Sequence, residues 1–319
     1  MSFSRRPLSV WKLRTRSLAL GETTLLMGIL NVTPDSFSEG AGAECAATKY
    51  APEPEAAIER GLHLLDQGAA ILDIGGESTR PGSHAATPAA VSADEEQQRV
   101  LPVIEGLLRE RPQAVLSIDT YRASTAKAAI QSGCEIVNDV SGLLWDAEMG
   151  AACARMRCGL VLMHTRGRPD EWRSLAPPPP GTVLGLVEAG LRTSLQAAAS
   201  AGVAPAHLVL DPGYGFGKAF DTNYELLSGQ EHLLALGHPL LAGVSRKSFL
   251  GRTLAPLWQG NDAPMAARGT ATVAAIVAAV LAGASIVRVH EPGPAREAIS
   301  IADAVLAAGV RTPLAPTLQ

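Results

Sequence analysis

The sequence predicts an α/β protein built as a single (β/α)8 TIM barrel, with an N-terminal lead-in hairpin and two long βα loops expected to be flexible. Three observations carry this. Eight short apolar runs recur along the chain, each closing on a polar or charged residue; helix-period segments lie between them; and the pattern fills 319 residues that are 47% hydrophobic, enough for a full core. Near-continuous apolar strands alternating with helices call for a parallel sheet covered by helices. Eight such units close a barrel whose ligand positions lie at the strand C-termini. The expected organisation is a lead-in over 1–22, a barrel over 23–312 and a tail over 313–319.

In chain order, the first 21 residues carry Arg5, Arg6, Lys12, Arg14 and Arg16 with no acid. They have no apolar core of a signal peptide, and their alternation fits a hairpin closing the barrel bottom. The apolar runs are Leu25 to Asn31, Ala70 to Asp73, Ala114 to Asp119, Glu135 to Asp139, Leu160 to His164, Leu208 to Asp211, Leu240 to Lys247 and Ser285 to His290. The helical segments are Pro54 to Gln67, Asp94 to Arg109, Arg122 to Gln131, Asp146 to Arg155, Thr182 to Ser200, Asn223 to Leu236, Pro264 to Leu281 and Pro294 to Leu306. Ser92 or Asp94 can cap the second of these, with Glu95 and Glu96 in its positive first turn. The stretches 32–52 and 79–93 are long for βα connections, which points to functional lids. Pro177 to Pro180 reads as a stiff spacer without chemistry.

Several function classes fall away. Net charge is −4, so no basic field marks a nucleic-acid binder. Gly269 to Val287 is a 19-residue span without charge, but Ala, Gly and Thr dominate it, and it reads as a helix packed on a sheet rather than a membrane span. Cys45, Cys134, Cys153 and Cys158 lack zinc spacing and disulfide density, which suits a reduced, cytoplasmic protein. The segment Asp211 to Lys218 (DPGYGFGK) fails both nucleotide motifs. A P-loop needs glycine where Pro212 stands and Ser or Thr where Ala219 stands; a dinucleotide fingerprint needs glycine where Lys218 stands.

What remains is a set of strand-end side chains. Asp119, Asp139 and Asp211 could each cap the next helix. Taken together they imply a donor-rich ligand or a metal, because like charges in one pocket repel. Asn138 adds an amide that both donates and accepts, and a planar heterocycle with several N–H groups would satisfy the set. Met163 offers an adaptable wall for a flat ring, while His164 is as readily a core histidine as a catalytic one. Arg246, Lys247, Arg288 and His290 put positive charge at the last two strand ends, the corner where barrels commonly bind phosphate.

Those residues name a family. The segments GILNVTPDSFS (Gly28 to Ser38), DIGGESTRPG (Asp73 to Gly82), SIDT (Ser117 to Thr120), NDVSG (Asn138 to Gly142), LMH (Leu162 to His164), DPGYGFGK, GVSRKSFLG (Gly243 to Gly251) and RVH (Arg288 to His290) resemble, in order, those of the dihydropteroate synthases. These are the folate-pathway enzymes that sulfonamides inhibit. The resemblance implies a homodimeric barrel that joins 4-aminobenzoate to 6-hydroxymethyl-7,8-dihydropterin diphosphate and releases pyrophosphate with Mg2+. It would place the pterin on Asp119, Asn138, Asp211, Lys247 and Gly243, with Met163 and Phe216 against its faces. The diphosphate would meet Asn31, Thr79, Arg288 and His290, Asn31 also contacting Mg2+. Thr79, Arg80, Pro81 and Ser245 would frame the 4-aminobenzoate, and Lys247, Asp119 and Arg288 would carry the catalysis. Two departures from the family pattern stand out: Cys158 to Pro180, with Arg166-Gly167-Arg168 and the four-proline run Pro177 to Pro180, and Glu291-Pro292 after His290. The rival readings are a pterin-binding methyltransferase of the methyltetrahydrofolate/corrinoid type, a non-catalytic pterin-binding paralogue, and a Schiff-base aldolase using Lys247.

Overall fold

The computed structural model describes residues 3–33, 54–79, 83–87 and 89–311, with residues 310 and 311 described by backbone only. Its strands are β1 (Ser4–Arg5), β2 (Ser9–Lys12), β3 (Ser17–Leu20), β4 (Leu25–Asn31), β5 (Ile71–Gly75), β6 (Leu116–Asp119), β7 (Ile136–Asp139), β8 (Gly159–Met163), β9 (Leu208–Asp211), β10 (Leu240–Ala242), β11 (Ala284–Val289) and β12 (Val310–Arg311). Its helices are α1 (Pro54–Asp66), α2 (Ala93–Glu110), α3 (Ala123–Gln131), α4 (Met149–Met156), α5 (Val183–Ser200), α6 (Phe220–Ser228), α7 (Ser248–Thr253), α8 (Gly269–Leu281) and α9 (Pro292–Ala308). Strands β4 to β11 form a closed, all-parallel eight-stranded barrel in chain order, β11 pairing back onto β4.

The period of two along each strand divides the core. One parity faces the helices: Leu26, Leu30, Leu72, Ile74, Leu116, Ile118, Val137, Leu160, Leu162, Leu210 and Val287 belong to the cluster packed under α1 to α9. The other faces the barrel axis. Its lowest layer is Met27, Ile71, Val115, Ile136, Val161, Val209, Leu241 and Ile286, one residue from each strand or its lead-in. Trp11, Leu13 and Leu20 of the antiparallel hairpin β2–β3 pack onto that layer. The hairpin therefore closes the barrel bottom, as its alternation predicts, and the Trp11 indole N–H donates to the His207 carbonyl at 2.8 Å. The basic lead-in serves as an anchor: buried Arg6 pairs with Asp303 at 2.6 Å and donates to the Ala284 carbonyl, also at 2.6 Å.

Differences from the expected elements have local causes. The segment Asn223 to Leu236 is not one helix: Gly229 divides α6 from a 3-10 stretch over Gln230–Leu236. Pro264 to Leu281 starts as a 3-10 turn, Met265–Arg268, before α8. The short helix α7 was not expected. Helix α4 starts later than expected, at Met149, and the Asp146 carboxylate bridges two helix starts: it accepts from the Ala123 amide at 2.8 Å and from the Glu148 amide at 2.9 Å. Ser92, not Asp94, caps α2, accepting from Glu95 N at 3.1 Å. The uncharged span after Gly269 divides into α8 and β11, and among the described residues no helix is long and apolar enough to cross a membrane. Most of the first long loop lies outside the described residues, as do residues 80–82 and 88 of the second.

Candidate active site

Counting up by two from the apolar floor, the next inward positions are Ile29, Asp73, Ser117, Asn138, Met163, Asp211, Gly243 and Arg288. Two further come Asn31, Gly75, Asp119, Ser245 and His290. Apolar floor gives way to a polar layer within one pleat, and above it opens a cavity of about 300 Å3. Its lining includes Asn31, Thr33, Glu77, Thr79, Asp119, Trp172, Phe216, Gly243, Ser245, Lys247, Arg288 and His290.

One hydrogen-bonded chain ties the polar layer together. Asn138 Nδ2 donates to Asp73 Oδ2 at 2.8 Å, Arg288 Nε donates to the same oxygen at 2.6 Å, and the other end of the guanidinium donates to Asp119 Oδ2 at 2.7 Å. Asp73 is fully buried, whereas the Arg288 and Asp119 side chains keep 19% and 13% of their surface at the pocket. The other Asp73 oxygen and the Ser117 hydroxyl beside it in the layer have no protein partner among the described residues. Burial acts to lower the Arg288 pKa, but Asp73 and Asp119 outweigh it and the net shift is upward. Burial raises Asp119 strongly, against the attraction of Arg288 and with help from Asp73. Asp211 is raised mainly by burial, opposed first by the Gly213 amide that donates to it at 2.7 Å. Burial and then Arg288 push Lys247 down to about 8, while Asp211 and Asp119 pull the other way. The Lys247 ammonium lies 4.0 Å from the centre of the Phe216 ring, a cation–π contact.

Two glycines sit against these side chains, with room for a Cβ at ordinary contact distance. A Cβ on Gly243 would stand 3.7 Å from Asp211 Oδ2, and one on Gly75 would stand 3.5 Å from Asp119 Cβ and 3.7 Å from Asn31 Oδ1. Lys218, buried at the end of the glycine-rich turn, donates to the carbonyls of Gly213, Phe216 and His164 at 2.7, 3.2 and 3.3 Å. Burial lowers its pKa to about 7. Three acceptors match the three N–H groups of the charged form, so the turn is held by an ammonium.

The expected site residues are thus gathered at one end of the barrel, with distinctions of depth. Asn31, Thr79, Asp119, Phe216, Gly243, Ser245, Lys247, Arg288 and His290 line the cavity; Asn138, Asp211 and Met163 sit just beneath it. The Ser245 hydroxyl and His290 Nδ1 are 2.9 Å apart. Arg80 and Pro81 lie outside the described residues. One acid is corrected. Asp139 belongs to the other parity: its carboxylate accepts from the Ser141 and Leu143 amides at 2.8 and 2.7 Å, so it caps the turn after β7 and faces no ligand. His164 is a core histidine, which burial drives down to about 2 and so keeps neutral. Two residues were missed. Asp73 sits two positions above Ile71, a parity that points inward only once Ile71 is seen to meet the hairpin; Trp172 lies in a loop with no period at all.

For Mg2+, the described residues contain no group of three or more His, Cys, Asp or Glu side chains able to cage a metal. Asn31 supplies one neutral oxygen at the rim. That fits an ion that arrives with substrate phosphates and keeps much of its water, the usual manner for Mg2+.

A barrel with a carboxylate-and-amide floor, an aromatic wall and a cationic corner defines an enzyme that binds a flat, donor-rich heterocycle beside an anion. Known proteins agree. A family model described as pterin binding enzyme matches residues 27–290. The dihydropteroate synthase of Mycobacterium leprae is 41% identical over 284 residues, covering 89% of this chain and 94% of its own. The structure of Xanthomonas albilineans dihydropteroate synthase with 4-aminobenzoic acid superposes with a TM-score of 0.80 at 36% identity, covering 95% of this chain and all of that one. That of Burkholderia cenocepacia dihydropteroate synthase complexed with 7,8-dihydropteroate gives 0.76 at 35%, covering 95% and 98%. The chain belongs to the dihydropteroate synthase family of pterin-binding barrel enzymes, transferases of folate biosynthesis.

Proposed function

We propose that the chain condenses 6-hydroxymethyl-7,8-dihydropterin diphosphate with 4-aminobenzoate, giving 7,8-dihydropteroate and pyrophosphate. The observation that carries this is the Asn138–Asp73–Arg288–Asp119 chain, which joins a heterocycle-binding floor to an anion-binding corner through a single carboxylate oxygen. Asp119, Asn138, Asp211 and Lys247 bind the pterin, over Met163 and against Phe216. Asn31, Thr79, Arg288 and His290 take the diphosphate. Thr79, Ser245 and, outside the described residues, Arg80 and Pro81 frame the 4-aminobenzoate.

The reaction breaks the C–O bond between the pterin methylene and the diphosphate, then forms a C–N bond to the aromatic amine. As the first bond lengthens, positive charge spreads over the pterin ring, where Asp119 and Asp211 stabilise it. Negative charge gathers on the leaving oxygen, where Arg288 and Lys247 meet it. The amine is neutral near pH 7 and needs no strong base; its proton leaves to solvent after attack. Mg2+, held at Asn31 by the diphosphate it accompanies, would supply further charge neutralisation on the leaving group. The cationic corner separates this reading from a pterin methyltransferase, which has no diphosphate to bind. The homodimer implied by the resemblance is supported by Ile301 and Val305, one helical turn apart on α9 and 68% and 39% exposed. A cytoplasmic setting is supported by Cys134, Cys153 and Cys158, buried and unpaired as thiols.

The test is direct. Purified protein with both substrates and Mg2+ should form dihydropteroate, and Asp119→Asn should slow pyrophosphate release. Release at the wild-type rate would remove Asp119 from the mechanism.

A further inference from the structure

The loop from His164 to Thr182, between β8 and α5, departs from the family's sequence pattern, yet it is built into the site. Arg166 donates to the Gly217 carbonyl at 2.8 Å and to the Ala176 carbonyl at 3.0 Å. Arg168 donates to the Ala86 carbonyl, in the loop that follows Thr79. Trp172, only 8% exposed, spends that surface on the cavity wall. Its indole N–H donates to the Gly167 carbonyl at 3.3 Å. Its ring meets Phe216 edge to face, with centroids 5.0 Å apart and planes at 85°. Lys247 occupies the Phe216 ring from 4.0 Å, so indole, phenyl and ammonium form one contiguous wall. Gly217 has to lack a side chain here: its φ is +67°, and a Cβ would stand 2.6 Å from the Arg166 carbonyl oxygen and 3.0 Å from Trp172 Cδ1.

Thr79 and Ser245, both assigned above to the aromatic amine, line the same cavity as Trp172, and Arg168 ties the Trp172 loop to the loop after Thr79. Asn138 and Asp211, the pterin floor, lie deeper. We propose that Trp172 is a specificity-determining residue that sets the width of the aromatic-amine slot and supplies an aromatic surface to its occupant. This rests on the reading of the preceding section. An aromatic contact of this kind is worth a factor of roughly 2 to 13 in affinity. Because Trp is the bulkiest side chain, shortening it should admit wider amines.

The experiment compares wild type, Trp172→Phe and Trp172→Ala in the dihydropteroate assay, with 4-aminobenzoate and with an N-aryl sulfonamide as alternative amine. Trp172→Ala should raise KM for 4-aminobenzoate roughly tenfold, raise KM for the pterin diphosphate by much less, since Trp172 reaches the pterin only through Phe216, and shift the kcat/KM ratio toward the sulfonamide. Trp172→Phe should recover most of the 4-aminobenzoate affinity. An unchanged KM for 4-aminobenzoate, or equal rises in both KM values, would overturn the proposal. Should the Ala variant not fold, fluorescence decides: 4-aminobenzoate added with pyrophosphate and a pterin should quench wild-type emission, and much less in Trp172→Phe. Equal quenching, arising from Trp11, Trp145 or Trp258, would refute it. Absence of any product with wild type would instead overturn the activity assigned above, a separate outcome.

Discussion

Replacing Asp73 by Asn tests the central arrangement most sharply. Asp73 Oδ2 accepts from Arg288 Nε at 2.6 Å and from Asn138 Nδ2 at 2.8 Å, fully buried. The Asn side chain keeps the shape, and its oxygen can hold the same two donors. Two things are lost. The bond from Asn138 becomes a neutral one and the bond from Arg288 keeps charge on its donor alone; a charge-assisted bond is about twice as strong as a neutral one, a difference of about 1 kcal/mol. The new amide N–H group then lands where the other carboxylate oxygen has no protein partner, a buried donor costing about 1–3 kcal/mol if unmet. Arg288 retains Asp119 at 2.7 Å, so the larger penalty of stranding a buried charge does not apply. Together these come to about 2–4 kcal/mol, which is roughly 30- to 900-fold in kcat/KM for the pterin diphosphate. Steady-state kinetics with each substrate varied, beside a melting curve, reads it. A fall of less than about threefold in a folded variant would show that Arg288 and Asn138 hold their places without Asp73.

Two other perturbations probe the electrostatics and the plug. Lys247 titrates near 8 because burial and Arg288 disfavour its ammonium, so the charged form is lost as pH rises through that value; kcat/KM for the anionic substrate should fall on the alkaline side, and Lys247→Arg should move that limb to higher pH. A profile flat to pH 9.5 would remove the lysine charge from substrate binding. Trp11→Ala should cost about 3–5 kcal/mol by emptying the plug, lowering Tm by several degrees with kcat unchanged, because the hairpin sits at the opposite end of the barrel from the cavity.

The eight strand ends were legible because a parallel barrel forces a simple code. A strand buried on both faces must be apolar until it reaches the rim, so the first polar residue marks the site. Inwardness was less legible, since it depends on parity and not on position alone. Asp139 and Asn138 are adjacent, yet one caps a turn and the other faces Asp73. Asp73 reads as an ordinary strand-end acid until Ile71 is known to touch the hairpin.

By itself, then, the amino-acid order determined the barrel, the end of it that bears chemistry, and the residue types gathered there, because strand and helix periods are local properties of the chain. Which side chains touch was decided only in three dimensions. The Arg288–Asp73 pair spans 215 positions, and Trp172 meets Phe216 from a loop with no period to read. Contacts between strands and loops so distant in sequence follow from how the barrel closes, and closure is a property of the whole fold.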